Sequence, residues 1–129
     1  MHTNTGNDID YLLIGHVTED LQSDGAVALG GTVTYAGLTA QALGHQPAII
    51  TSCAEETPLK ALNPIPIKQL LSPRSTQFRN IPTVTGRVQY LFNQATIITA
   101  QSLPEKWSKP AIVHIAPVFN DVDPAILAQ

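Results

Sequence analysis

Apolar residues in this chain come mostly in short unbroken runs, punctuated by glycine, proline and polar stretches. DYLLIG at 10–15 is the first run. Its continuous apolar character predicts a strand covered on both faces, as in a parallel sheet. AIIT at 48–51 reads the same way. Between them Val33, Ala36, Ala40 and Leu43 recur at spacings of three and four. That pattern predicts a helix over 33–43 with this set as its inner face. Gly44 stands where a helix C-terminal glycine belongs. The segment 16–31 is polar and glycine-punctuated, with weak alternation around Ala26, Val27 and Leu29, and reads as a connection. Residues 10–52 therefore form strand, connection, helix, strand, a βαβ unit.

Beyond residue 54 the elements shorten. EETPLKALN (55–63) predicts a short helix with acidic residues in its first turn. IPIKQLL (65–71) predicts a strand, placed at a sheet edge by Pro66. STQFRNI (75–81) and GRVQYLF (86–92) flank PTVT and predict an antiparallel hairpin. Val88, Tyr90 and Phe92 alternate there with Arg87, Gln89 and Leu91, giving one wetter face. ATIITA (95–100) is a further short run. SLPEKW (102–107) has the form of a capping box, with Ser102 as N-cap and Glu105 at N3. AIVHIAP (111–117) predicts another buried strand. DVDPAILAQ (121–129) starts like a helix, with Asp123 as N-cap and Pro124 at N1. A helix of that length is marginal by itself. Open parallel strands also leave an edge. The pattern predicts the front part of a larger α/β protein.

Composition narrows the class. The 129 residues are 43% hydrophobic and 13% charged, the make-up of one globular domain. A net charge of −3 offers no basic field for nucleic acid. No run approaches the ~18 apolar residues of a membrane span. The polar N-terminus has no secretory pattern, and the lone Cys53 has no internal disulfide partner, so a cytoplasmic protein is expected. Residues 1–9 read as a flexible tail.

Two places can carry chemistry. Gly30 and Gly31 precede the helix, where glycine permits positive φ and lets a ligand approach the backbone; a tight turn would use them equally well. Asp20 follows the first strand, in the region where open α/β sheets bind ligands, and its carboxylate can accept hydrogen bonds from two hydroxyls of a polyol; a solvated loop carboxylate is the plain alternative. Thr18 can add another hydrogen bond. His16, His45 and His114 show no metal spacing, and His114 reads as a satisfied core histidine. Cys53 reads as a buried structural thiol. Glu55 and Glu56 read as helix-start acids, and Trp107 and Phe119 as packing residues.

The order of these features resembles the N-terminal half of the ribokinase-like (PfkB) carbohydrate kinases. The strand running to Gly15 and then Asp20, the Gly30-Gly31 pair, and the helix ending in ALG (42–44) carry the likeness. STQFRNI…TGRVQYLF and IVHIAPV resemble the lid hairpin and the following core strand. The resemblance implies an open, mainly parallel sheet with flanking helices and a small β lid at about 75–92, with residues 10–129 forming the N-terminal part of the kinase domain and the C-terminal half missing. It implies that Asp20, Thr18, Gly30, Gly31 and Tyr35 bind a sugar or nucleoside, the glycines lying against it. Tyr35 stands where the family commonly has asparagine, and Ala54 and Glu56 depart from the family's glycine and aspartate. ATP and Mg2+ are implied for an intact enzyme. No GAGD-like segment is present, so no catalytic residue, metal site or cofactor is expected of this chain alone, and it is expected to be inactive by itself. The resemblance also allows a homodimer through the lid hairpin. A noncatalytic polyol-binding domain, or a domain completed by a partner, is the alternative.

Overall fold

The computed structural model describes residues 8–128. Four parallel strands form the main sheet in the order β5-β4-β1-β8: β1 is Tyr11–Ile14, β4 Pro47–Cys53, β5 Ile67–Leu71 and β8 Ile112–Ile115. β1 pairs with β4 on one side and β8 on the other, Leu13 facing both Ile49 and His114. Its apolar run is continuous because both faces are covered. Leu12 and Ile14 pack with Ala48, Ile50, Ile98, Trp107 and Ile126 on one face. Leu13 packs with Val17, Val33, Ile49, Leu62 and Ile65 on the other. Helix α1 (Thr32–Ala42) crosses from the second face back to β4, completing the βαβ unit.

α1 closes as its sequence predicts. His45 N–H donates to the Ala40 carbonyl and Gly44 N–H to that of Gln41, with Gly44 at φ 91°. This double bond pattern is a Schellman motif. The buried face is turned from the expected one: Val33, Thr34, Gly37 and Ala40 are inside, while Leu43 is 75% exposed. Gly37 lets the helix sit close on the sheet, since a side chain there would press on Ile49.

The connection 16–31 is structured. It forms β2 (Thr18–Leu21) and β3 (Val27–Gly30), an antiparallel pair in a second sheet of order β3-β2-β6-β7. β6 (Gln77–Thr83) and β7 (Gly86–Asn93) are the expected hairpin. β5 holds the predicted edge position.

Several expectations fail. Residues 55–58 are not helical, and only a 3-10 turn forms at Leu59–Leu62. ATIITA gives a single bridge, Ile98 to Val122, not a strand. The capping box does not form: Pro104 holds Leu103 extended, and 3-10 turns at Ala100–Ser102 and Glu105–Trp107 replace the helix. β8 is an edge strand, with Val113 51% exposed, not a buried one. Phe119 is 48% exposed and does no packing of the kind expected, whereas Trp107 does. His114 is half-buried at that edge, hydrogen-bonded to the Tyr11 hydroxyl at 3.0 Å. Asp123 caps as predicted, its Oδ1 accepting from Ala125 N–H at 2.9 Å, but Pro124–Ala128 is a 3-10 turn. Of the tail read over 1–9, residues 1–7 lie outside the described residues, and Ile9 packs on the core. Among the described residues no helix is long and apolar enough to cross a membrane.

Candidate functional site: a polar cavity between β2 and the hairpin

Thr18 and Asp20 stand two apart on β2 and so share a face. Thr18 Oγ1 donates to Asp20 Oδ1 at 2.8 Å, which orients the carboxylate. Behind it lies Gly30, where a Cβ would collide with the carboxylate. Gly31 has φ 88°, and a Cβ there would strike the His16 carbonyl. The Gly-Gly pair thus serves two close approaches within the protein. Gly31 also begins α1 without any side-chain cap, and no acidic residue follows in the first turn.

β2 is bonded to β6 in parallel register, Asp20 beside Phe78, so the hairpin extends the same sheet past the carboxylate. Phe78 and Asn80 on β6, with Arg87 and Gln89 on β7, share one face of that extension with Thr18 and Asp20. Together with Gly31, Thr32 and Tyr35 from the start of α1, and Pro117 and Val118 after β8, they line an open cavity of about 380 Å³. The root of the hairpin is fixed by Glu19 on the opposite face. Glu19 accepts from Gln77 Nε2 at 2.8 Å and from Thr57 Oγ1 at 3.0 Å.

A buried knot supports the floor. Asp121, fully buried, accepts from His16 N–H at 2.9 Å and from Val118 N–H at 2.9 Å. His16 Nε2 lies 3.0 Å from the Thr96 carbonyl, which can only accept, so Nε2 carries the proton. Nδ1, 2.8 Å from Thr76 Oγ1, is then the acceptor of the neutral ring. Burial pushes the His16 pKa below its ordinary value, against the pull of Asp121 and the Thr96 carbonyl.

Of the residues singled out by sequence, Thr18, Asp20, Gly31 and Tyr35 meet at this cavity; Gly30 stands behind Asp20 and off the wall. Sequence reasoning missed Asn80, Arg87 and Gln89. The alternation Arg87, Gln89 in β7 was their signal, but it read as a solvent face. Cys53 is buried, with its thiol pKa raised by burial. Glu55 and Glu56 are exposed. Among the described residues no three His, Cys, Asp or Glu side chains gather as a metal site.

A larger cavity of about 510 Å³ lies on the far face of the main sheet. Its walls, among them Leu12, Leu103, Trp107 and Val113, are apolar apart from Glu105 and Ser108. It lacks the convergent hydrogen-bonding groups a hydroxylated ligand requires.

No family model and no curated protein matches the chain. Solved structures do. A sulfate complex of a pyrophosphate-dependent kinase in the ribokinase family aligns at TM-score 0.74 and 28% identity over 88% of this chain and 43% of its own. A pyrophosphate-dependent ribokinase-family kinase complexed with a pyrophosphate analog and myo-inositol aligns at TM-score 0.75 and 24% identity, over 92% and 44%. A pyrophosphate-dependent myo-inositol-1 kinase converted by mutation into a myo-inositol-3 kinase aligns at TM-score 0.66 and 26% identity, over 87% and 40%. The fold is ribokinase-like, and the chain spans less than half the length of the structures it matches.

Proposed function

We propose that this chain supplies the acceptor-binding part of a ribokinase-like carbohydrate kinase, gripping a sugar, nucleoside or other polyol between β2 and the β6–β7 hairpin. One observation carries the reading: the carboxylate of Asp20, oriented by Thr18, opens on a cavity walled by amide and hydroxyl side chains. Its oxygens accept from two neighbouring hydroxyls. Asn80 and Gln89 each offer an amide that both donates and accepts. Tyr35 brings a ring edge and a hydroxyl. Gly30 acts through Asp20, by leaving it room. The myo-inositol in one structural relative is a ligand of the same chemical kind.

The phosphoryl donor is a different matter. The relatives are described as pyrophosphate-dependent, so a phosphoanhydride in general, ATP or pyrophosphate, stands in for the ATP expected from sequence. The cavity offers it one guanidinium and, among the described residues, no acidic cluster for Mg2+. These residues do not fit the donor, and the chain by itself binds acceptor without transferring phosphate.

The outward face of the hairpin fits a second copy of the chain. Ile81, Val88, Tyr90 and Phe92 are all exposed there, with Tyr90 and Phe92 stacked at 6.4 Å. The second reading, a domain completed by a partner, draws on the exposed β8 edge and the apolar cavity beside it.

Isothermal titration with pentoses, hexoses, inositols and nucleosides tests the main reading. Binding that Asp20→Ala abolishes is expected; heat that survives the substitution would remove the site assignment.

A further inference from the structure

Arg87 is the one cationic side chain on the cavity wall, and it has no internal role. Among the described residues its guanidinium forms no hydrogen bond and no ion pair. Asp20, the cavity's carboxylate, cannot neutralise it. Asp20 is level with Phe78 on β6, whereas Arg87 is level with Pro82, four residues further along, on the next strand. The two backbones are therefore separated by about 13 Å along the strands and about 10 Å across them. A short aspartate already held by Thr18 does not bridge that gap.

The cavity is thus polarised. One end accepts hydrogen bonds from hydroxyls through Asp20. The other presents a fork of N–H donors carrying a full charge, flanked by the amides of Asn80 and Gln89. A guanidinium matches a carboxylate or phosphate in two parallel hydrogen bonds, which a neutral hydroxyl cannot reproduce.

Resting on the polyol-binding reading above, the geometry points to an anionic polyol as the ligand of this cavity: a sugar acid or sugar phosphate, its hydroxyls on Asp20 and its anionic end on Arg87. The shared chemistry is an oxyanion at one end of a hydroxylated chain.

The test is isothermal titration of the 129-residue chain with D-glucitol, D-gluconate and D-glucitol 6-phosphate, and with inorganic phosphate and pyrophosphate alone. At least one acidic polyol binds about tenfold more tightly than glucitol, the scale of one charge-assisted contact near solvent. The tighter of the two acids names the anionic group. In Arg87→Gln, checked for folding by its thermal melt, the advantage collapses to within about twofold, while Asp20→Ala weakens all three polyols. Equal binding of glucitol and its acids, or an advantage that survives Arg87→Gln, overturns the anionic assignment and leaves the polyol reading standing. So does Arg87-dependent binding of phosphate or pyrophosphate with no preference among polyols, which would hand Arg87 to the donor. No binding of any polyol overturns both.

Discussion

A methyl group at Gly31 would meet the His16 backbone carbonyl, in a conformation at φ 88° that side chains rarely adopt. Neither clash nor torsion can relax without moving the start of α1. Gly31→Ala is expected to cost about 2 kcal/mol or more, read as a lowered denaturation midpoint. Gly30→Ala differs in kind. The colliding atom belongs to a side chain, so Asp20 swings aside; ligand affinity drops at least about tenfold while stability changes by about 1 kcal/mol or less. His16 sets a pH limit. Its folded pKa lies below the ordinary 6.5, so at and below that pH the unfolded chain binds the proton more readily. Stability is full above pH 6.5 and declines as pH falls through it. Urea midpoints between pH 7.5 and 5.5 should fall on acidification, and the slope should flatten in His16→Gln. The residue-level roles of Gly30 and Gly31 were only half legible. The pair marked a special backbone site, but which atoms crowd it depends on Thr18 pairing with Gly30 across β2 and β3.

At the level of elements, legibility followed the locality of the forces. β1 and β4 were readable because their own residue pattern matches their burial, and the hairpin because its alternating strands and the turn between them are adjacent in sequence. β2 was not. Its sequence TEDL carries two acids that disfavour strands, and it is held extended by β6, whose Gln77 and Phe78 come 58 residues after their partners Glu19 and Asp20. The capping box at Ser102 failed for the opposite reason: a valid local signal was overridden by Pro104. The alternation in the hairpin does separate two faces, a polar and an apolar one, both largely exposed along β7. Arg87 and Gln89 turn into the cavity, while Val88, Tyr90 and Phe92 turn outward. If the outward face seats a second copy as proposed, the chain self-associates in analytical ultracentrifugation and Val88→Lys with Phe92→Lys abolishes this, while the proposed polyol affinity stays within about twofold, because neither side chain touches the cavity. Trp107 closes the far face of the main sheet against Leu12, Ile14 and Ile126, so Trp107→Ala should cost about 3–5 kcal/mol in chemical denaturation.

Across the whole molecule, two sheets divide the labour. The parallel sheet supplies a core packed on both faces, and the second, mixed sheet carries a polar wall out from it. The cavity lies where the two meet α1 and the loop after β8, a place that no single stretch of sequence reveals. On the proposed reading, in which this cavity takes the acceptor and not the phosphoanhydride, a coupled phosphoryl-transfer assay on the chain alone should show no polyol-dependent turnover. The most direct measurement is an amide NMR titration of the isotope-labelled chain with the tightest-binding polyol. Shifts should concentrate at Thr18–Asp20, Gly31–Tyr35, Asn80 and Arg87–Gln89. Shifts centred on Leu103 and Trp107, or none anywhere, would contradict a ligand cradle between β2 and the hairpin.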